Sequence, residues 1–213
     1  MAHENSKTIA PPAPTTRRDR VRQTRQESRQ RIVEATTELV RTRSYSELSV
    51  DAVMRAAGLG RTIFYRHFDD LADLLQRASR EAVEELLAAQ TNIWRTRPDD
   101  DPDAVRRAFG AAVDVYQRHG PLLRAVAEAA AGDEQIRHGY EEMRRRFDDF
   151  AAESLRGVTA DSRTPLANAG ETARALNLMG ENYLLDVFGR EPRVSPETAL
   201  QTLTEIWEAV IRR

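Results

Sequence analysis

The chain has 213 residues, 40% hydrophobic and 31% charged, which allows one or two compact domains and is too apolar for wholesale disorder. It contains no Cys, which excludes disulfide scaffolds, Cys-ligated zinc and thiol nucleophiles. Charge is unevenly spread: residues 1–68 hold 13 Lys and Arg against 7 Asp and Glu, and the remainder holds 19 against 27. Such a division fits a nucleic-acid module joined to an acidic domain, or a basic tail on an acidic globule. No stretch approaches the ~18 apolar residues of a membrane span. The first 25 residues lack the apolar core of a secretory signal, so a cytoplasmic protein without membrane contact is expected.

Residues 1–24 read as a disordered basic arm. Pro11, Pro12 and Pro14 oppose a helix, and Arg17, Arg18, Arg20, Arg22 and Arg25 follow. Such an arm either follows a phosphate backbone or is merely solvated. From Ser28 the period is helical. Ile32, Ala35, Leu39 and Val40 place one apolar face on a helix over 27–42. Ser49 caps a second helix carrying Val50, Val53, Met54 and Ala57, and Gly58 suits its C-terminal end. A third helix, Arg61 to His67, anchors itself by Phe64 and Phe68. No alternation of period two is present, so the fold class is all-α.

A long helix is predicted over about 70–96, with the stripe Leu71, Leu74, Leu75, Ala78, Ala82, Val83, Leu86, Ala89 and Ile93. Pro98 and the run Asp99-Asp100-Asp101-Pro102-Asp103 end it. That run lacks the spaced Gly and closing Glu of a calcium loop, and reads as a solvated linker. Val105, Ala108, Phe109, Ala112, Val113 and Tyr116 mark the next helix, which Gly120-Pro121 is expected to break. A short helix with Leu122, Leu123, Val126 and Ala130 follows, then one carrying Ile136, Tyr140, Met143, Phe147 and Phe150. Gly157 to Pro165 reads as a loop. Two last helices, about 166–188 and 196–212, bring the total to about nine.

Two short helices around Gly58-Leu59-Gly60 form a helix-turn-helix pattern. Ala56, Ala57 and Gly58 are small enough for the helices to cross closely. Arg61, Thr62, Ile63, Tyr65, Arg66 and His67 are left for DNA. Arg61 suits a bidentate bond to a guanine edge, or a phosphate contact. Thr62 and Ile63 suit a thymine methyl. Ser49, at a helix N-terminus, caps and also suits a phosphate. His67 is no metal ligand, because His3, His119 and His138 offer no helical partner.

Ser49-Val50-Asp51-Ala52-Val53, Ala56-Ala57-Gly58-Leu59 and Arg61-Thr62-Ile63-Phe64-Tyr65-Arg66-His67-Phe68 resemble the TetR family of bacterial transcriptional regulators. The C-terminal part resembles its EthR-type branch in Ala175-Leu176-Asn177-Leu178-Met179, Phe188-Gly189-Arg190-Glu191-Pro192 and Ile206-Trp207. The resemblance implies an all-helical homodimer that binds a palindromic double-stranded DNA operator and is released by a small ligand. It implies DNA contacts at Ser49, Gly60, Arg61, Thr62, Ile63, Tyr65, Arg66 and His67, with Arg22 and Arg25 on the basic arm. Two positions depart from the family pattern: Gly60 stands where Ser or Thr caps the recognition helix, and Leu71 where a Lys touches phosphate.

The expected organisation is a basic arm at 1–24, a DNA-binding domain at 25–70, and a ligand-binding and dimerisation domain at 71–213. The helix at 171–188 is apolar on more than one side, with Ala173, Leu176, Met179-Gly180, Tyr183-Leu184 and Val187 on one stripe. It therefore lines an interior and meets a second subunit, or it belongs to a thick monomeric core. The expected pocket has walls of Val105, Phe109, Ala112, Val113, Tyr116, Tyr140, Met143, Phe147, Leu185 and Trp207. Asn177 and Glu181 are its polar handles in the EthR-type resemblance, and the implied effector is hydrophobic or amphipathic. No cofactor and no metal are expected.

An enzyme is disfavoured, because there is no Gly-rich phosphate loop, no paired His for zinc and no thiol. Glu141-Glu142 and Asp148-Asp149 read as a solvated face. A regulator that activates, or that acts through a protein partner without a ligand, remains the alternative at this stage.

Overall fold

The computed structural model describes residues 17–93, 103–159 and 166–211. These form eight α-helices and one 3-10 turn, with no strand among the described residues. They are α1 (Arg17–Thr42), the turn Tyr45–Glu47, α2 (Val50–Ala57), α3 (Arg61–Phe64), α4 (Leu71–Ile93), α5 (Ala104–Ala130), α6 (Glu134–Thr159), α7 (Ala169–Phe188) and α8 (Pro196–Ile211). Residues 1–16 of the expected arm, Asp99 to Asp101 of the acidic linker and the loop at 160–165 lie outside the described residues.

Local chemistry sets the small helices. The Ser49 hydroxyl accepts from the Ala52 N–H, 3.2 Å away, and opens α2. Gly58 closes it at φ 63, a left-handed conformation that suits a residue without Cβ. The Arg31 guanidinium donates to the Ala57 carbonyl at 2.6 Å and finishes the cap from α1. α3 is shorter than the Arg61–His67 helix expected. Beyond Phe64 the backbone tightens: His67 N–H reaches the Phe64 carbonyl at 2.9 Å, and Arg66 N–H the Ile63 carbonyl at 3.3 Å. Phe64 and Phe68 nevertheless both turn inward, ring centroids 5.6 Å apart, and pack with Ile32, Val53, Met54, Ala57 and Leu74.

Three expectations about helix boundaries are corrected. First, α1 begins at Arg17, so residues 17–24 of the expected disordered arm are helical. No Gly or Pro follows Pro14 there, and Arg and Gln favour helix. Second, α5 runs unbroken through Gly120-Pro121, which reduces nine helices to eight. Pro121 removes one helical hydrogen bond. The buried residues Leu122, Leu123, Ala125 and Ala129 beyond it hold the helix in register. Gly120 serves close approach instead of a turn: a Cβ there meets the Phe188 carbonyl oxygen at 2.2 Å. Third, α6 continues to Thr159, so Gly157 is helical rather than the start of a loop.

The N-terminal helices do not stand apart on a linker. Val40, Leu48, Ala72 and Leu75 share one buried cluster with Leu122, Ala125, Ala129, Ala130 and Ile136 of α5 and α6. α4 enters both units: Leu74 belongs to the N-terminal core, Leu75 to the shared cluster, and half-buried Leu71 packs against both. On α7, Leu176, Gly180, Leu184 and Val187 are buried as expected, whereas Met179 is 37% exposed.

Candidate functional site

Two surfaces carry chemistry, and α4 runs from the core behind the first to the wall of the second. The first is the exposed face of α2 and α3. Gly60 caps α3 through backbone conformation alone, with no side-chain bond. Ser49, Gly60, Arg61, Thr62, Tyr65 and Arg66 are exposed together, with Ile63 and His67 half-buried beside them. Arg22 and Arg25 are exposed on α1, and Arg25 donates to the Arg66 carbonyl at 3.2 Å. That bond fixes the N-terminal half of α1 to the end of the α3 turn. Leu71 lies in the hydrophobic clusters at the start of α4 and offers no charge to a phosphate.

Arg61 is not a loose side chain. Its Nη1 lies 3.0 and 3.2 Å from the two Asp51 oxygens, and its Nη2 donates to the Tyr65 hydroxyl at 3.1 Å. The Tyr65 bond and the Asp51 charge strengthen its hold on the proton. Asp51 was missed as a partner of Arg61 by sequence reasoning. The signal lay in its place in the first turn of α2, one helix crossing from Arg61. His67 is shifted the other way: partial burial, then the charges of Arg25, Arg29 and Arg66, lower its pKa below the ordinary 6.5. The surface is therefore dense in positive charge and holds a neutral imidazole within it.

The second surface lies between helices and opens to solvent at a rim that includes exposed Arg80 and Arg146. α4, α5, α6 and α7, with Trp207 of α8, surround a cavity of about 430 Å³. That volume suits a small organic molecule. Ten of the twelve residues expected to face a ligand line it: Phe109, Ala112, Tyr116, Tyr140, Met143, Phe147, Asn177, Glu181, Leu185 and Trp207. Val105 and Val113 do not. Val105 is buried with Leu155, Leu176 and Trp207, and Val113 with Leu184, Val187 and Leu203. Both belong to the same wide apolar face of α5, but its edges meet neighbouring helices.

The polar end of the cavity is a connected network. The Tyr140 hydroxyl donates to Glu181 Oε1 at 2.6 Å, and Arg144 Nε lies 3.2 Å from Glu181 Oε2. The Arg144 guanidinium also stands 5.7 Å from the Tyr140 ring centroid. Burial raises the Glu181 pKa, although Tyr140 and Arg144 both pull it down. Burial and the Glu181 charge together push the Tyr140 phenol up. Asn177 Nδ2 donates to Asp148 Oδ1 at 2.9 Å. Asp148 is thus half-buried at the cavity, which corrects its reading as part of a solvated face, while Glu141, Glu142 and Asp149 are exposed. Arg144 was missed by sequence reasoning, although it lies one helical turn beyond Tyr140. So were Gln76, Ser79, Arg80, Val83 and Leu87, the wall that α4 supplies.

Residues 32–78 match the model of the tetR family of bacterial regulatory proteins, and residues 105–212 match that of the C-terminal domain of the transcriptional regulator EthR. The chain belongs to the TetR family. It is a helix-turn-helix transcriptional regulator of EthR type. This TetR-family regulator is similar to the HTH-type transcriptional regulator EthR of Mycolicibacterium smegmatis, with 26% identity over 182 residues, 83% of this chain and 82% of the relative. Its fold is that of PfmR from Thermus thermophilus, a TetR-family structure with TM-score 0.69 at 20% identity, covering 85% of this chain and 97% of that one. AibR, solved in complex with isovaleryl coenzyme A and operator DNA, has TM-score 0.65 at 15% identity, covering 84% and 97%. The family is one of transcriptional regulators rather than enzymes. Among the described residues, no helix is long and apolar enough to cross a membrane.

Proposed function

We propose that this TetR-family regulator is a homodimeric repressor that binds a palindromic operator and leaves it when a hydrophobic or amphipathic small molecule enters the cavity. Residues 25–70 are the DNA-binding unit, and residues 71–213 the ligand-binding and dimerisation unit. Arg61 reads a guanine edge, and Thr62 and Ile63 contact thymine methyls. Ser49, Gly60, Tyr65, Arg66 and His67 contact the backbone, joined by Arg22 and Arg25 from α1. Phe109, Tyr116, Met143, Phe147, Leu185 and Trp207 enclose the apolar part of the effector. Asn177, Glu181, Tyr140 and Arg144 meet its polar end. Exposed Met179 on α7 and Ile206 on α8 belong to the face that packs on the second subunit.

The observation that carries this reading is the course of α4, whose Leu74 sits in the N-terminal core while Val83 and Leu87 line the cavity. One helix therefore joins the core behind the α2 and α3 face to the cavity. The likeness to AibR, whose solved complex holds a small molecule and operator DNA, supports the pairing of the two on this fold.

Genomic fragments retained by the purified protein test it. An enriched palindrome at near-physiological salt is the expected result, with the protein sedimenting as a dimer. Retention only at low salt and without a shared motif overturns it, because charge alone then accounts for binding.

A further inference from the structure

A buried arginine adds directional polar bonds to the apolar packing between the DNA-binding helices and the rest of the molecule. Arg124 of α5 is only 8% exposed. Its Nη2 donates to the Val40 carbonyl at 2.6 Å and to the Arg43 carbonyl at 3.1 Å, both at the C-terminal end of α1. Its Nε donates to the Gly189 carbonyl at 2.8 Å, just past the end of α7. Its Nη1 pairs with Glu128, one turn along α5. Glu128 in turn accepts from the Tyr45 N–H at 2.9 Å. One ion pair therefore holds the last carbonyls of α1 and the first N–H of the 3-10 turn that follows.

The chemistry explains why the pair sits here. The last carbonyls of a helix lack intrahelical partners and carry partial negative charge. Ser44 N–H is already engaged by the Glu47 side chain at 2.8 Å, so it cannot serve Val40. Arg124 supplies the missing donors. Its planar fork fixes direction at each donor, which a lysine ammonium does not.

We infer that Arg124, braced by Glu128, is the residue that positions the DNA-binding helices, and that it thereby sets the half-site spacing the dimer accepts. This rests on the homodimeric DNA reading proposed above. The N-terminal unit is held on the body by α4, by the apolar cluster that Val40 and Leu48 share with Leu122, Ala125 and Ala129, and by Arg124. Apolar packing is non-directional, whereas the guanidinium bonds fix direction on a helix other than α4. Together they define an orientation, and the orientation of each recognition helix decides which spacing of major grooves the pair can enter. Arg124 also sits beside Leu123 and Val126, which line the cavity, and against the end of the helix that carries Leu184 and Leu185. It is a positioning residue and touches no base.

The test is a selection from synthetic duplexes with randomised cores, using the full chain and its Arg124→Lys, Arg124→Met and Glu128→Gln variants. The expected result is the same half-site bases in every case, with a spacing preference that is sharp in the parent and falls by about fivefold or more in the Arg124 variants. A purely structural role lowers melting temperature without moving spacing. Variants that fold and select the parent's spacing with the parent's sharpness overturn the inference. A second measurement covers a variant too unstable for selection. With no native Cys, Arg55→Cys and Arg137→Cys place two spin labels in one chain, both at exposed positions. The distance distribution between them broadens in Arg124→Lys if Arg124 fixes orientation, and stays as narrow as the parent's if it does not. A parent that selects no two-part motif overturns the dimeric reading and the spacing role with it. The spin-label distances then still decide whether Arg124 positions the helices.

Discussion

Asp51, in the first turn of α2, holds Arg61, the first residue of α3, through both of its carboxylate oxygens. The pair crosses the helix-turn-helix on its exposed side, and Tyr65 accepts a bond from the same guanidinium. On the DNA reading proposed above, Arg61 is therefore already oriented before it meets a base. Arg61→Ala is expected to weaken binding to a selected site by about 10- to 100-fold, the worth of one bidentate base contact. Binding to random duplex should fall far less. Asp51→Asn keeps Arg61 but loosens it. It is expected to lower the ratio of specific to non-specific affinity while the salt dependence stays unchanged. Fluorescence anisotropy over a salt series measures both. Equal losses on specific and random duplex would make Arg61 a phosphate contact only.

If His67 lies at the DNA interface as proposed, binding is expected to be sensitive to pH. In the free protein, burial and the neighbouring Arg25, Arg29 and Arg66 lower its pKa, so the fold favours the neutral ring. The sign follows: this stabilisation is present above the ordinary pKa near 6.5 and is lost as pH falls below it towards the folded value. A nearby phosphate acts in the opposite sense and favours the imidazolium. DNA binding should therefore take up a proton, and affinity should rise as pH falls from 8 towards 6 by roughly the window in which histidine titrates. His67→Gln should flatten that slope. An unchanged slope in the variant removes His67 from the interface.

Two glycines of α5 predict opposite effects of the same substitution. Nothing lies within 4 Å of a Cβ built on Gly110, whereas one built on Gly120 meets the Phe188 carbonyl oxygen at 2.2 Å. Gly110→Ala is expected to stabilise the protein by about 0.5–1 kcal/mol through helix propensity. That raises the melting temperature by about 1–4 °C for a chain of this size. Gly120→Ala must separate α5 from the end of α7 and should lower it. Thermal unfolding followed by circular dichroism distinguishes the two signs.

Tyr140 and Glu181 form a hydrogen-bonded polar pair in the wall of the cavity. Tyr140→Phe deletes a hydrogen bond to a charged group and should cost about 1.5–3 kcal/mol. Glu181 has its pKa raised chiefly by burial. A carboxyl raised in this way helps stability at acid pH, and that help is lost as pH rises from 4.5 through its folded value. The stability of the parent relative to Glu181→Gln should therefore decline across that interval. In Tyr140→Phe the decline should extend to higher pH, since one of the two groups favouring the carboxylate is gone. Urea unfolding at several pH values reads the difference directly. A parent whose relative stability is flat with pH would mean that Tyr140 and Arg144 cancel the burial completely.

Much of the fold was legible because it is written in local chemistry. Ser49 and Gly58 mark the ends of α2, and Phe64 with Phe68 marks the inward side of α3. What was not legible depends on partners far away in sequence. Gly120-Pro121 is a breaker by every local rule, and only the approach of Phe188 explains why a helix passes through it. Arg124 and Val40 are joined by a hydrogen bond between residues 84 positions apart, and no periodicity announces it. Val105 and Val113 share the apolar period of Phe109 and Tyr116. The period says that all four are inward, but not which of them faces a space and which a neighbour. Asp148 and Asp149 were read together as a solvated face; adjacent helical residues point about 100° apart, and the period does not say that the side Asp148 takes is the cavity.

If an effector acts through α4 as proposed, the placement of the cavity along that helix fixes a mechanical advantage. Counting at about 1.5 Å per residue, the arm from Val83 to Leu71 is about 18 Å, so a tilt of about 5° around Val83 moves Leu71 by about 1.6 Å. The arm from Gln76 is less than half as long, and that from Leu87 about a third longer. An occupant that tilts the helix about Gln76 works on a short lever and gains little. One that reaches Leu87 works on the longest lever, so molecules of equal affinity but different length differ in how far they swing the DNA-reading surface.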